Sequence, residues 1–198
     1  MTTDGDYVIT RRRTAPLGAK CTHRRCLHDD DTISFTEELT APREPDGFPW
    51  TAQGNLITAD EGDLAAEPTG GRGWTVFSPT GEVRWSAGGS AERALADAGR
   101  YPDGRSDDKG AEFEGAETAR FGWFGHGTDY AFIGSERGDA VLAHDIADEA
   151  NPLLTQVLPK CVLAIPRRNL LLTSNEDDGT ISIFRWRTRW GFYRSGST

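Results

Sequence analysis

Residues 130–139 read Tyr-Ala-Phe-Ile-Gly-Ser-Glu-Arg-Gly-Asp, an apolar strand pattern that runs directly into a polar turn. Residues 55–63 and 169–180 repeat this order, with an apolar run followed by a Glu close to an Asp. Glu136 and Glu176 are 40 residues apart, and Glu61 precedes Glu136 by 75 residues, which fits two such periods or one period plus an insertion. A period of about 40 residues is typical of propeller blades and solenoid units. The sequence therefore predicts repeated β units rather than one closed core.

Short strands joined by tight turns are also favoured by the composition, which includes 23 Gly and 10 Pro. Residues 74–78 and 82–86 alternate apolar and polar side chains around Pro79-Thr80-Gly81, which predicts a hairpin. Residues 90–99 break the strand pattern and predict a short helical insertion, with Ser90 as the N-cap and Gly99 just past the end.

The predicted organisation has three parts. Residues 1–31 are expected to be irregular or disordered, 32–186 to form a partial β-propeller of the WD40-like or YVTN-like kind, and 187–198 to be a disordered tail. The fold class is thus all-β, with about three blades. Propellers typically close with about four to eight blades. We therefore expect a fragment, or a chain that needs a protein partner or the missing blades to cover its open edges.

The charge balance limits the possible partners. There are 31 acidic and 22 basic side chains, a formal net charge of −9. This argues against a general binder of nucleic acid or of anionic membranes, whose contact surfaces are basic. The sequence contains no run of about 18 apolar residues, so no membrane span is predicted. Residues 1–6 lack the apolar region of a signal peptide. The expectation is a cytoplasmic protein or a reading frame that begins inside a longer exported one.

Acidic turns at the strand ends are the best candidate site. Ca²⁺ takes about six to eight oxygen ligands in flexible geometry, and the repeats place carboxylates at equivalent strand ends. The alternative is a set of solvated turns in which Asp and Gly supply the backbone geometry. The candidate metal ligands are Asp60, Glu61, Asp63, Glu112, Glu114, Glu136, Asp139, Glu176 and Asp178.

Catalytic residues are not identified by motif. The sequence has no Gly-x-Ser-x-Gly elbow, Walker loop or His-Glu-x-x-His pattern. Lys109, Arg105 and Arg137 could bind phosphate, but pairing with the neighbouring carboxylates is favoured. His126 and His144 stand alone in the sequence, and a structural role is favoured for both.

Residues 21–28 hold Cys21 and Cys26 with two histidines. A local disulfide, free thiols and a metal site all remain open, although the spacing matches no familiar zinc motif. Cys161 is expected to be a buried thiol. Residues 184–194 interleave aromatic and basic side chains, a pattern compatible with stacking on single-stranded nucleic acid. An amphipathic edge strand over 180–186 explains it equally, and we favour the strand.

Several stretches occur in the order of a known family: 41–47, 57–63, 73–77, 101–110, 112–115, 130–139 and 163–170. Over roughly residues 30–186 the chain resembles the bacterial phytase-like, esterase-like propellers, also described as choice-of-anchor proteins and often labelled alkaline phosphatase. The resemblance implies a β-propeller in an extracellular or periplasmic location and a metal-dependent phosphoester hydrolase; the alternative is a non-catalytic propeller that binds a partner or the cell envelope. The chain departs from the family pattern at Phe113. It also departs at Lys160-Cys161-Val162, where the family has a carboxylate and this chain has none.

Overall fold

The computed structural model describes residues 6–9, 38–41, 43–62, 71–123, 126–159, 163–175, 179–187 and 191–197. The predicted strand over 32–36 and all three cysteines lie outside these residues. Within them the chain forms one α-helix, α1 (Ser90–Asp97). The strands are β1 (Asp6–Ile9), β2 (Glu38–Ala41), β3 (Leu56–Asp60), β4 (Gly73–Phe77), β5 (Val83–Ser86), β6 (Phe113–Trp123), β7 (His126–Ser135), β8 (Ala140–Asp145), β9 (Leu153–Pro159), β10 (Leu163–Ile165), β11 (Leu170–Asn175), β12 (Thr180–Arg187) and β13 (Gly191–Ser197).

Three antiparallel meanders make up most of the protein. The first sheet has the order β3-β4-β5, the second β6-β7-β8-β9 and the third β10-β11-β12-β13, so each strand pairs with its neighbours in the chain. β1 pairs with β2 in a separate two-stranded sheet. This architecture confirms the all-β class and the short helical insertion. The number of propeller blades stays a prediction.

Residues 43–50, which we call the edge segment, lie along the free edge of β3. Two isolated bridges, Pro45 to Asp60 and Trp50 to Leu56, fix their antiparallel direction. The edge segment also contacts the second sheet, because the Gly47 N–H donates to the carbonyl of Glu114 at 2.8 Å. It therefore acts as an irregular innermost strand that ties β3 to β6.

Two apolar cores separate the three sheets. The first core lies between the first sheet, α1 and the second sheet, and includes Trp74, Leu95 and Ile133. The second core lies between the second and third sheets and includes Phe132 and Phe192. β7 is buried on both faces, since Ile133 and Phe132 point into different cores. This explains why its sequence is a continuous apolar run rather than an alternating one.

The helix ends where the sequence indicates. Gly99 has φ 67°, the left-handed conformation expected just past a helix C-terminus. The N-terminal prediction is wrong by one residue: Gly89 occupies the N-cap position, because the Ser90 hydroxyl donates back to the Ala87 carbonyl at 2.6 Å. Ala91 and Leu95 lie on one face of α1 and are buried in the first core.

The structure corrects three regions of the sequence prediction. Residues 101–117 are rich in charge and glycine, which predicts a long loop, but 113–117 begin β6, which pairs with β7 along its length. The tail predicted to be disordered over 187–198 contains β13, which completes the third sheet. β1 lies within residues 1–31, which were predicted to be irregular. Phe184, Trp186 and Phe192 are buried in the second core, so the aromatic and basic alternation belongs to sheet strands.

Candidate metal centre

Two glutamates come together because of the pairing between β6 and β7. Phe113 pairs with Ser135, and one residue outside that pair the Glu136 N–H donates to the carbonyl oxygen of Glu112 at 2.9 Å. Glu112 immediately precedes β6 and Glu136 immediately follows β7. Antiparallel register therefore places their side chains at one end of the second sheet.

Glu114 joins this pair through a β-bulge. The register shifts between Phe113 and Gly115, so Glu114 is the extra residue of β6. A bulge changes the direction of a side chain relative to the regular pleat. One ligand oxygen from each of Glu112, Glu114 and Glu136 lies within 4.8 Å of the other two. We call these three residues the carboxylate cluster.

Burial and charge repulsion both raise pKa values within the cluster. Burial first, then a hydrogen bond and the charge of Glu136, raise the pKa of Glu114 to about 7. Burial also raises the pKa of Glu112, although the Arg137 guanidinium opposes the shift. The cluster therefore carries more negative charge than its protein surroundings neutralise, and one proton is retained near neutral pH.

Two cations neutralise the flanks of the cluster. Lys109 Nζ contacts the carboxylate of Glu61 and lies 3.1 Å from Glu44 Oε2. The hydrogen bond to Glu61 is the main reason that the pKa of Lys109 rises to about 12. Arg137 Nε lies 2.5 Å from Glu112 Oε2. Lys109 and Arg137 are thus both paired with carboxylates. The sequence pattern favours this arrangement over one in which the two cations are free to bind phosphate.

Backbone conformation around the cluster is unusual. The described residues include five non-glycine residues with positive φ, and three of them are Glu44 (47°), Lys109 (57°) and Glu112 (50°). Left-handed backbone costs a residue with a side chain roughly 1–2 kcal/mol, and such residues concentrate at binding and active sites. The strain is therefore located in the segments that surround the carboxylate cluster.

Other predicted ligands have different surroundings. Asp60 is fully buried and accepts hydrogen bonds from Thr58 Oγ1 at 2.6 Å and Thr75 Oγ1 at 2.5 Å. Asp139 lies 3.5 Å from Arg100 Nη1. Neither belongs to the carboxylate cluster, and their assignment as ligands stays a prediction. Glu61 is close by but contacts Lys109. Asp63, Glu176 and Asp178 lie outside the described residues.

Sequence reasoning missed Glu44, which contacts Lys109 from the edge segment. Nothing in its local sequence distinguishes it from other turn residues, since it belongs to a proline-rich connection. His144, by contrast, is structural as expected: its ring lies 4.7 Å from that of Trp74, and burial lowers its pKa to about 4. His126 is exposed at the start of β7.

Comparison with known proteins gives one family match. Residues 60–149 match the family model of the choice-of-anchor I domain. The matched segment contains the carboxylate cluster, Glu61 and Lys109. Choice-of-anchor domains are associated with extracellular or cell-surface proteins, and the match indicates a cell-surface-associated module. Within the described residues, no helix combines the length and apolar character needed to cross a bilayer.

A solved structure of a functionally unknown protein from Desulfotomaculum acetoxidans DSM 771 is also similar to this chain. The similarity has a TM-score of 0.42 with 13% sequence identity, and covers 83% of this chain and 45% of that one. The chain therefore spans less than half the length of that protein. No curated protein matches the chain.

Proposed function

We propose that this chain is a cell-surface-associated β-sheet module that binds Ca²⁺ at the carboxylate cluster. The observation that most supports the proposal is the convergence of Glu112, Glu114 and Glu136, whose ligand oxygens lie within 4.8 Å of one another. Two oxygens on opposite sides of a calcium ion, with bonds of about 2.4 Å, are about 4.8 Å apart. The spacing is thus compatible with one shared ion.

The chemistry of the ligands favours calcium among the common divalent ions. All three side chains offer carboxylate oxygens, whereas Zn²⁺ sites usually include His or Cys. Mg²⁺ requires near-octahedral geometry and retains most of its waters. Ca²⁺ accepts irregular oxygen sets, and water or backbone carbonyls can complete its coordination. A bound dication would replace the proton held at Glu114 and neutralise the remaining repulsion.

Backbone strain at Glu44, Lys109 and Glu112 supports the same assignment. A purely solvated set of turns has no need for three left-handed non-glycine residues at one place, because Gly or Asn would adopt that conformation at lower cost. Such strain persists where the surrounding structure fixes a functional geometry.

Thermal unfolding of the metal-free chain, with and without added calcium, tests the proposal. Calcium should raise the midpoint, because a ligand that binds only the folded state stabilises it. Glu136→Gln should abolish the rise, whereas Glu82→Gln, in the exposed turn before β5, should keep it. An equal rise in both variants would refute a site at the cluster.

A second candidate function is hydrolysis of phosphoesters, as in the phytase-like and esterase-like enzymes that the sequence resembles. The observation favouring it is that Lys109 and Arg137 flank the carboxylate cluster, so a bound metal and two cations could act on one phosphate group. Both cations are held by carboxylates, which is why binding without catalysis is the first proposal.

Phosphatase assays separate the two functions. A hydrolase should release phosphate from an aryl phosphate only with calcium present, and Glu61→Gln and Glu136→Gln should each reduce the rate. If calcium binds but no phosphate is released, the hydrolase proposal is wrong and the binding proposal remains.

A further inference from the structure

Ala111, the residue before Glu112, is held through both of its backbone groups. Its N–H donates to the Glu92 carboxylate at 3.3 Å, and its carbonyl accepts a hydrogen bond from the Ser135 hydroxyl at 2.5 Å. Ala111, Glu92 and Ser135 are all buried. Glu92 belongs to α1, whereas Ser135 is the last residue of β7. The peptide that leads into Glu112 is therefore fixed between the helix and the second sheet.

Glu112 needs this support because its backbone is left-handed, with φ 50°. That conformation is costly for a residue with a side chain, so it persists where surrounding contacts fix it. The Glu112 N–H donates to the Lys109 carbonyl at 3.0 Å, and the Glu112 carbonyl accepts from the Glu136 N–H at 2.9 Å. A rotation of the peptide group between Ala111 and Glu112 would redirect the Glu112 side chain. The direction of this candidate ligand thus depends on how firmly Ala111 is held.

Arg72, immediately before β4, orients the Glu92 carboxylate. Its Nη1 atom lies 3.6 Å from Glu92 Oε1, and both side chains are 11% exposed. Its Nη2 atom donates to the Ser106 carbonyl at 3.0 Å. A guanidinium presents five N–H donors in fixed directions, so it can bind two groups at once. The same side chain therefore holds both Glu92 and the loop that carries Lys109.

Gly110 shows how closely this loop fits the ion pair of Arg72 and Glu92. Its φ is 50°, and a Cβ atom at this position would overlap both Arg72 Nη1 and Glu92 Oε1. Burial raises the pKa of Glu92, although the charge of Arg72 opposes the shift. A buried ion pair contributes little net stability, because the cost of removing two charges from water offsets much of their attraction. A role in fixing the geometry of the loop accounts for this pair better than a stabilising role does.

We propose that Glu92, oriented by Arg72, is a positioning residue for the metal site, which holds the Ala111 peptide so that Glu112 faces the other two carboxylates of the cluster. This inference rests on the proposed calcium site and adds to it a residue that is not a ligand. Groups that orient metal ligands are typically worth about 10–100-fold in metal affinity. Loss of the hydrogen bond between Glu92 and Ala111 should therefore weaken calcium binding although all three ligands remain in the chain.

Two double variants of the full chain separate this hydrogen bond from the charges. Arg72→Met with Glu92→Gln removes both charges but keeps an oxygen that accepts from the Ala111 N–H. Arg72→Met with Glu92→Met has side chains of similar size but only a thioether, which is a weak acceptor. In calorimetric titration with calcium, the variant with Glu92→Gln should bind at least about tenfold more tightly than the variant with Glu92→Met.

Glu149 provides the matched control. It is as buried as Glu92 and accepts a hydrogen bond from the side-chain amide of Asn55. It follows β8, whose first residue pairs with Ser135, so it lies beyond the end of β8 that is remote from the carboxylate cluster. Glu149→Gln and Glu149→Met should therefore bind calcium equally tightly, even if the second variant is less stable.

Hydrogen exchange of the metal-free double variants gives a second test, which does not require calcium to bind. The Glu136 amide donates to the Glu112 carbonyl and so reports the position of Glu112. It should exchange at least about fivefold faster with Glu92→Met than with Glu92→Gln. Equal calcium affinities or equal exchange rates in the two double variants would overturn the proposal. A wild type that binds no calcium would instead refute the calcium site, and the exchange rates would still decide whether Glu92 positions Glu112.

Discussion

A carboxylate oxygen of Glu114 lies within 4.8 Å of one of Glu136 across the bulge between β6 and β7. Two ionised carboxylates this close repel each other, and a proton on one of them relieves the repulsion. Burial and the neighbouring Glu136 accordingly raise the pKa of Glu114 to about 7. At neutral pH the same two oxygens can hold a proton or share a metal ion, but not both.

The contribution of Glu114 to metal-free stability should consequently fall as the pH rises from 4.5 to 7. The folded state holds the Glu114 proton up to about pH 7, whereas the pKa of an unfolded Glu is near 4.5. The contribution of the Glu114 proton to stability is therefore complete below pH 4.5 and is lost between pH 4.5 and 7, by about 1–2 kcal/mol after solvent screening. Glu114→Gln, which keeps a hydrogen-bond donor without a charge, should remove this contribution. Urea unfolding at several pH values measures it, with Glu82→Gln as the control.

Buried His144 should have the opposite effect on the pH dependence, because its contribution to stability is lost as the pH falls. Burial lowers its pKa to about 4, against 6.5 in the unfolded chain. Its contribution to stability is therefore complete above pH 6.5 and is lost as the pH falls towards 4, by about 2–3 kcal/mol. His144→Phe should preserve the packing against Trp74 and remove this acid sensitivity. In the same titration the variant should lose less stability than the wild type between pH 6.5 and 4, and an unchanged loss of stability in acid would contradict the assignment.

The close approach of the edge segment to β6 should depend on Gly47. A Cβ atom at this position would lie 2.5 Å from the Ala116 nitrogen and 2.7 Å from the Glu114 carbonyl oxygen. Gly47→Ala should therefore destabilise the fold by about 2–3 kcal/mol and displace the bulge that orients Glu114.

The control for this substitution is Gly115→Ala on β6, where a Cβ atom would meet nothing within 4 Å. We expect it to change stability by less than about 0.5 kcal/mol. Chemical denaturation and calcium titration of both variants provide the comparison. If Gly47→Ala unfolds like the wild type and binds calcium equally well, the edge segment does not determine the position of the cluster.

The sequence pattern predicts the strands that are buried on both faces, because these strands are apolar throughout. It misses the strands whose apolar residues are interrupted. β7 and β8 are buried on both sides, so their apolar runs are visible in the sequence. β6 is different because Glu114, Gly115, Glu117 and Arg120 interrupt its apolar residues, and its strand character comes from pairing with β7. β13 is similar, since its pairing with β12 includes two glycines and a register shift.

Local sequence cannot separate a candidate ligand from a structural carboxylate. Asp60 and Glu136 follow apolar strands in the same way, but Asp60 is bound by two threonine hydroxyls whereas Glu136 faces Glu114. What distinguishes them is tertiary: the register of β6 against β7, the one-residue bulge and the position of the edge segment. None of these is encoded in the motif that repeats along the chain.

Lys109 should compete with calcium for the negative charge of the site, because it is held by Glu61 and Glu44 beside the cluster. Lys109→Met should lower metal-free stability by about 1–2 kcal/mol, since it leaves the partly buried Glu61 without its cation. The added negative charge should strengthen calcium binding by about fivefold. Isothermal titration calorimetry measures the second effect, with Arg120→Met, at the far end of β6, as the control. Weaker calcium binding by Lys109→Met would mean that the lysine builds the site rather than competing for it.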